Sequence, residues 1–400
     1  MDARHGLAVL AVVGLVAACS ESKLRAGYCE HDTDCPSGQV CVLEGAATFT
    51  CAASDGGLPD GDASEVAPEC TTSSQCPAEK PICDMQACRA CDSTRSGDTT
   101  ACAARDSTRP VCGPSGACVE CVSPTSADCT ANLAKPICDL GSNTCVACTT
   151  DDQCAAKGVG PGICMSHQDG RCAADSEVIY VENKSGCASS SLTPMAGSAG
   201  TPFCTPQLAF DTLTSSRRVI VIAGAVAGAS WAPPSGATPV TVIGRSAAVI
   251  APGTAIGLQI TGAAEIYARD LTVRNSEQVG IIAEGGAILR LEHVTVDSNR
   301  GGGILVDNSA FDIATSTVTG NGPGQAAGGV VWGGIRVQTP GTPASLNLVT
   351  ASNNQSAGVS CSDPISGSGV LATGNAGGVQ VTSACSISSC STAGPTCGAP

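Results

Sequence analysis

From Leu258 onward one phrase keeps returning: LTVRNSEQVGI, VTVDSNRGGGI, STVTGNGPG, LVTASNNQSAGV and LATGNAGGV. Each copy holds a strand rich in β-branched residues, then Asn and Gly, and the copies recur every 20 to 24 residues or so. A unit that short cannot enclose a core, so its apolar side is buried only by stacking on the next unit. The repeat therefore predicts a solenoid. Asn275, Asn299, Asn321, Asn354 and Asn375, spaced by 24, 22, 33 and 21 residues, predict a column of stacked amides along one corner, each NH2 donating to the next carbonyl.

Alternation supports strands between those corners, with Ile281 and Ala283, Ile304 and Val306, Ile335 and Val337, and Val379 and Val381 inward. Gly280, Gly303, Gly334, Gly358 and Gly378 precede the strands, where a sharp corner needs either positive φ or a close backbone approach. On these residues the segment from about 177 to 392 resembles the right-handed parallel β-helix of the pectin-lyase-like superfamily. The resemblance implies an all-β fold of about 7–8 coils and is nearly silent on activity. Residues 176–181 (SEVIYV) then read as the opening strand, and residues 200–210 as the start of the short helix that plugs the first coil in that superfamily. Cys187 and Cys204 flank this cap and are expected to be joined, while Cys361, Cys385, Cys390 and Cys397 are placed to pin the last coils.

At the other end, Arg4, an apolar run from Gly6 to Ala18 and small residues before Cys19 make an export signal too short to span a bilayer. Residues 16–19 (VAAC) resemble the bacterial lipobox, which implies lipidation of Cys19 and membrane attachment through acyl chains. Ser20 in place of Asp implies, by the lipoprotein sorting rule, the outer membrane, with periplasmic or surface display left open. Of 27 cysteines, Cys19 leaves 26, an even number suited to an oxidising compartment.

Twenty of those cysteines fall between residues 29 and 172 in five blocks of four, some sharing text (KPICD at 80–84 and again at 135–139). Blocks of this size bury too little to offset chain entropy, so two disulfides each are expected, with three connectivities open. The blocks resemble cysteine-rich repeats behind lipoprotein signals in myxobacteria. The C-x-x-C pairs Cys88/Cys91, Cys118/Cys121 and Cys145/Cys148 recur too far apart for a zinc ribbon and read as boundaries between knots. No metal or cofactor is expected. The domain reading is a signal at 1–18, a lipidated tether at 19–28 and the first cysteine unit at 29–51. An acidic flexible linker follows at 52–69, then units two to five at 70–174 and the β-helix at 175–400.

Net charge is −15, most of it before residue 175, which excludes nucleic acid as a partner. Chemistry has few candidates. Stacking coils 23 residues apart puts Arg269 beside Glu292, Asp270 beside His293 and Arg274 beside Asp297, charge-complementary pairs of the kind that stabilise neighbouring strands. The sharper reading makes Asp270 and His293 an acid/base pair, with Arg269 or Arg274 holding a substrate carboxylate. The clustered aspartates of polygalacturonase-like hydrolases, or the calcium-binding carboxylates of pectate-lyase-like members, have no counterpart in the coil sequence between Leu258 and Gly378.

For binding, the 33-residue interval from Asn321 to Asn354 adds a loop of about ten residues around Trp332, which is placed to stack on a sugar ring or to anchor the loop. Glu292 and Asp297 complete the candidate binding set. Outward Ile282 and Leu305 form an apolar spot of ordinary size. The sequence thus reads as a cell-envelope lipoprotein with a non-catalytic adhesion or recognition role toward a glycan or an envelope protein. A polysaccharide lyase or glycoside hydrolase acting on an acidic glycan is the competing class, and a passive spacer the third.

Overall fold

The computed structural model describes residues 39–43, 49–53, 68–123, 127–129, 134–158, 160–233, 239–253, 255–325, 329–387 and 390–392. The chain divides into two compact units, 1–68 and 69–400. In the first, strands Gln39–Leu43 and Phe49–Ala53 form an antiparallel hairpin in which Cys41 faces Cys51. The signal sequence and lipidated Cys19, as well as most of the acidic linker, lie outside the described residues.

The second unit opens with four cysteine modules of one design. In each, the first cysteine bonds the third and the second bonds the fourth: Cys70–Cys83 with Cys76–Cys88, Cys91–Cys112 with Cys102–Cys118, Cys121–Cys138 with Cys129–Cys145, and Cys148–Cys164 with Cys154–Cys172. The pairing follows from the local backbone. The third and fourth cysteines face each other across a short antiparallel ladder, as in Cys83 with Cys88 and Cys138 with Cys145, so each must reach outward to a different partner. In two modules the acid before the first cysteine closes the knot, Glu69 accepting from the Cys88 N–H at 2.9 Å and Glu120 from the Cys145 N–H at 2.8 Å. Every C-x-x-C pair is split between consecutive modules, so its two sulfurs belong to different disulfides.

Beyond Asp175 the chain winds into a parallel β-helix with three faces. The first carries Glu265–Arg269, Ile288–Glu292, Ala310–Ala314, Ala344–Asn347 and Ser366–Ser368; the second carries Thr272–Arg274, Thr295–Asp297, Thr317–Thr319, Thr350–Ser352 and Val370–Thr373. At the start of the coil, Val219–Val226 and Val240–Ile250 run across the corner and merge the first two faces into one 14-stranded sheet. The third face is a six-stranded sheet from Ala229–Trp231 to Val359–Cys361. Six strands there mean six complete turns, fewer than the expected 7–8; Val178–Glu182 adds only a partial rung, on the first face alone.

Inward residues form one continuous core, including Ile281, Ala283, Ile304, Val306, Ile335 and Val337. The final pair differs from expectation. Val381 is inward and bridges Val359, but Val379 is 43% exposed, because the last coil enters its strand two residues later than the sequence pattern suggested. At the N-terminal end the core is closed by helix Pro206–Asp211, whose Phe210 stacks on Trp231 with centroids 5.8 Å apart. Cys187 joins Cys204 in this cap. Cys361 joins Cys385 at the far end, while the Cys390 side chain and Cys397 lie outside what the structure describes.

The amide column runs along the corner between the second and third faces. Asn299 Nδ2 donates to Asn321 Oδ1 at 2.9 Å, Asn321 to Asn354 at 3.0 Å and Asn354 to Asn375 at 2.9 Å, and Asn375 donates to Gln380 Oε1 at 2.8 Å. Asn275 is not in it. The strands before this corner are in 23-residue register, Arg274 facing Asp297, which puts Ser276 in the column; its N–H donates to Asn299 Oδ1 at 3.0 Å. Asn275 is exposed at φ 61°, one position earlier, where Ser298, Gly320, Asn353 and Gly374 make the same left-handed corner. The glycines that follow have a different duty. A Cβ on Gly303 would meet Val318 Cγ1 and the Gly334 carbonyl at 2.5 Å and Asn321 Nδ2 at 3.0 Å, so this glycine lets one coil lie against the amide column of the next. Gly280, Gly334 and Gly358 repeat that packing, whereas Gly378, at φ 76°, has nothing within 4 Å.

Candidate functional site

Strands Val219–Val226 and Val240–Ile250 begin with runs that are buried on both sides, so their outward residues need a cover. The fifth cysteine module supplies it. Ile163, Met165 and Ala173 form one apolar cluster with Val178, Val219, Val221 and Ile243 on the outer side of the first face. Polar contacts rim the cluster. Arg245 donates to the Gly162 carbonyl at 3.0 Å, Gln168 to the Thr241 hydroxyl at 3.2 Å, and Arg171 forms a two-pronged pair with Glu177.

Where the module's edge meets the next two coils there is a cleft of about 220 Å³ lined by Thr150, Asp151, Tyr267, Arg269, Glu292 and His293, among others. Arg269 lies across its floor. Its guanidinium is largely buried, bonded to Asp151 at 2.6 Å and to Asp270 at 2.7 Å. Asp151 also accepts from the Cys164 N–H at 2.8 Å, so this one carboxylate ties the module's helix Asp151–Ala156, its own backbone and the coil together. Burial pulls the Arg269 guanidinium toward neutrality, but the Asp151 and Asp270 carboxylates together outweigh it and hold the charge more firmly than usual.

Glu292 is occupied in a similar way. The Tyr267 hydroxyl donates to its Oε2, and His167 Nε2 lies 3.1 Å from the same atom, with the imidazole packed at a tilt of 35° against the Tyr267 ring, centroids 3.9 Å apart. Burial raises the Glu292 carboxyl, yet the two partners more than compensate and hold it below the ordinary range. Burial, reinforced by Glu292, pushes the Tyr267 phenol far up, so at neutral pH one group is fixed as carboxylate and the other as phenol.

The 23-residue register does place Arg269 opposite Glu292, but the two are not ion-paired: Arg269 turns to Asp151 and Asp270, and Glu292 to Tyr267 and His167. The docked module redirects both. Asp270 and His293 are neighbours at 3.6 Å, both exposed and both at left-handed corner positions, a distance too long for a hydrogen bond. Arg274 and Asp297 face each other in register at 3.8 Å on the second face, a different side of the coil. Trp332 is no sugar platform. It lies 1% exposed in the hairpin of Gly324–Gln325 and Val331–Trp332, its ring against Gly302 and Gly324, and it anchors the long loop to the coils.

The residues that sequence reasoning missed are those of the fifth module, Asp151, His167 and Gln168. The available signal was the unbroken apolar text VIVI at 219–222, which demands burial on two sides. Sulfur triads such as Cys121, Cys129 and Cys145 sit close enough to hold a metal, but all three atoms are in disulfides and offer no thiolate.

Together these features define a parallel β-helix with a disulfide-rich module docked on its flank. Comparison with known families agrees for the coils: residues 256–398 match the family described as "Right handed beta helix region", and residues 56–169 match one described as "Family of unknown function (DUF8331)". The second half of the chain is thus a right-handed parallel β-helix. Among solved structures, one described as "Crystal structure of pectate lyase Pel9A" matches at 14% identity over 57% of this chain and 79% of that one, with a TM-score of 0.33. At that level the likeness bears on neither activity nor substrate. The comparison with curated proteins gives no match. Among the described residues no helix is long and apolar enough to cross a membrane.

Proposed function

We propose that this chain is an outer-membrane lipoprotein that displays its β-helix on a disulfide-rich stalk and recognises a partner there without chemical turnover. The observation that carries this reading is the state of the cleft. The groups that a lyase or hydrolase would need free, Arg269 and Glu292, are spent on holding the fifth module in place. Asp270 and His293 remain open to solvent but do not form the hydrogen bond of an oriented acid/base pair. A rigid coil with a pinned loop and a pinned cap is the kind of scaffold on which recognition surfaces are held in register. The lipid anchor rests on the VAAC sequence at 16–19 and export on the signal before it.

The test has two arms. The processed full chain is applied to an array of neutral and acidic glycans and to envelope extracts, and wild type, Asp270→Asn and His293→Gln are assayed for unsaturated uronates and new reducing ends. Specific retention without product, unchanged in both variants, is the expected result. Product formation by wild type that disappears in either variant replaces the proposal with an acidic-glycan lyase or hydrolase. Neither retention nor product leaves the spacer reading.

A further inference from the structure

Two of the three most exposed large apolar side chains among the described residues sit three positions apart in one loop. Leu192 is 91% exposed and Met195 78%, both between Cys187 and Cys204 in the cap on the first coil. The two ends of the same loop behave oppositely, with Ala188 and Phe203 buried in the core. No charged residue lies between Lys184 and Asp211. The tip is therefore both apolar and neutral.

It is also held firmly. The disulfide closes its base, and the Ala196 N–H donates to the Thr193 carbonyl at 3.0 Å, the Ser198 N–H to the Met195 carbonyl at 3.0 Å and the Gly197 N–H to the Thr201 carbonyl at 2.8 Å. From the coils, Arg217 Nη2 and the Tyr180 N–H each donate to the Gly197 carbonyl at 2.9 Å. Met195 itself has φ 58°, a left-handed conformation that suits Gly or Asn and is unfavourable for a long side chain. With most of that side chain in solvent, folding gains little from a methionine there.

Size and charge select the occupant. Two projecting side chains offer only a small fraction of the roughly 1,000 Å² that a stable protein interface needs. The headgroup and acyl boundary of a bilayer, by contrast, takes up single apolar side chains, and an uncharged tip enters it without leaving an ion behind. A loop already fixed by its own hydrogen bonds loses little entropy on entering. Such an insertion is weak alone but becomes effective in a chain that is already held at the membrane.

We propose that the cap loop is a lipid-contact element, in which Leu192 and Met195 enter the membrane interface and turn the first coil of the β-helix toward the bilayer. The assignment rests on the lipid anchor at Cys19 read from the sequence and adds an orientation to it.

The experiment uses the full chain, expressed with its own signal and reconstituted in vesicles of phosphatidylethanolamine and phosphatidylcholine, with and without phosphatidylglycerol. Leu192→Trp puts a fluorescent reporter at the tip, Leu348→Trp puts one at a 63% exposed apolar corner on the flank of the coils, and the buried Trp231 and Trp332 give a constant background. Both positions are exposed, so urea midpoints should match wild type. Expected are blue-shifted emission and quenching by lipids brominated in their acyl chains for Leu192→Trp, and neither for Leu348→Trp. Adding Met195→Ser to Leu192→Trp should lower the ratio of inserted to free loop roughly tenfold. Equal quenching at both reporters, none at residue 192, or a response that requires phosphatidylglycerol would overturn the loop's role. So would amides 192–198 of wild type that exchange slowly in intact envelopes but not in vesicles of the extracted lipid, since the tip would then meet a protein. The mass of the mature N-terminal peptide separates the two readings: an acylated Cys19 with no response at residue 192 removes the loop alone, whereas Cys19 without acyl chains removes the anchor and the loop's role with it.

Discussion

Replacing Asn321 with alanine removes four hydrogen bonds from a fully buried corner. Its Oδ1 accepts from the Asn299 N–H at 3.1 Å and from Asn299 Nδ2 at 2.9 Å, and its Nδ2 donates to the Val296 carbonyl and to Asn354 Oδ1, both at 3.0 Å. At a net worth of about 1 kcal/mol each the loss is about 4 kcal/mol. Counting orphaned groups instead gives a similar figure: the Asn299 N–H loses its acceptor and Val296 loses a donor, at roughly 2 kcal/mol apiece, while Asn299 Nδ2 keeps the Val273 carbonyl. The control is Asn275→Gly. That asparagine looks equivalent in the sequence but is exposed at φ 61°, where glycine is at ease, so its change should stay within about 0.5 kcal/mol. Urea unfolding with the disulfides intact, followed by Trp332 and Trp231 fluorescence, reads both as midpoint shifts at unchanged m. An Asn321→Ala protein within about 1 kcal/mol of Asn275→Gly would refute the account of the column.

Three further outcomes follow from neighbouring features. Gly303→Ala, forced against Val318 and the Gly334 carbonyl, should cost about 2–3 kcal/mol in the same assay, and a neutral result would mean that the coils are not in contact there. Arg269→Ala should free the fifth module, at a cost of about 3 kcal/mol, seen as faster amide exchange over residues 151–173 with the C-terminal coils unaffected; unchanged exchange would show that the apolar cluster alone holds it. Glu292 titrates below its ordinary value of 4.5, so its contribution is complete above that pH and is lost as pH falls through the lower, folded value. Exchange at residues 163–168 should therefore accelerate on acidification below 4.5 in wild type and do so much less in Glu292→Gln; identical acid profiles would exclude Glu292 as the group responsible.

The coils were legible because their physics is local and repeated: alternation along each strand and an amide at each corner are written into every copy. Errors arose where two neighbouring positions carry similar residues. Asn275 and Ser276 are both small and polar, and only the 23-residue strand register, which the 24-residue spacing to Asn299 violates, says which enters the column. Val379 and Val381 pose the same problem at the last turn. Trp332 could not be placed from composition, since an indole anchors a loop as readily as it meets a ligand. The site was less legible still. Asp151 and Arg269 lie 118 residues apart, and nothing in either neighbourhood announces the other.

The crossed pairing inside each cysteine module also determines what a single cut can do. Between Cys70 and Cys172 every peptide bond is bridged by at least one sulfur link, except those in the three short joints at 88–91, 118–121 and 145–148. Exposed hairpin tips such as Met85 and Leu140, the kind of site where proteases prefer to nick, lie inside the bridged stretches. A chain clipped there once keeps both halves covalently joined, so severing this stretch takes three cleavages in one module, one in each interval between its cysteines, a hit on a joint four residues long, or a reductant.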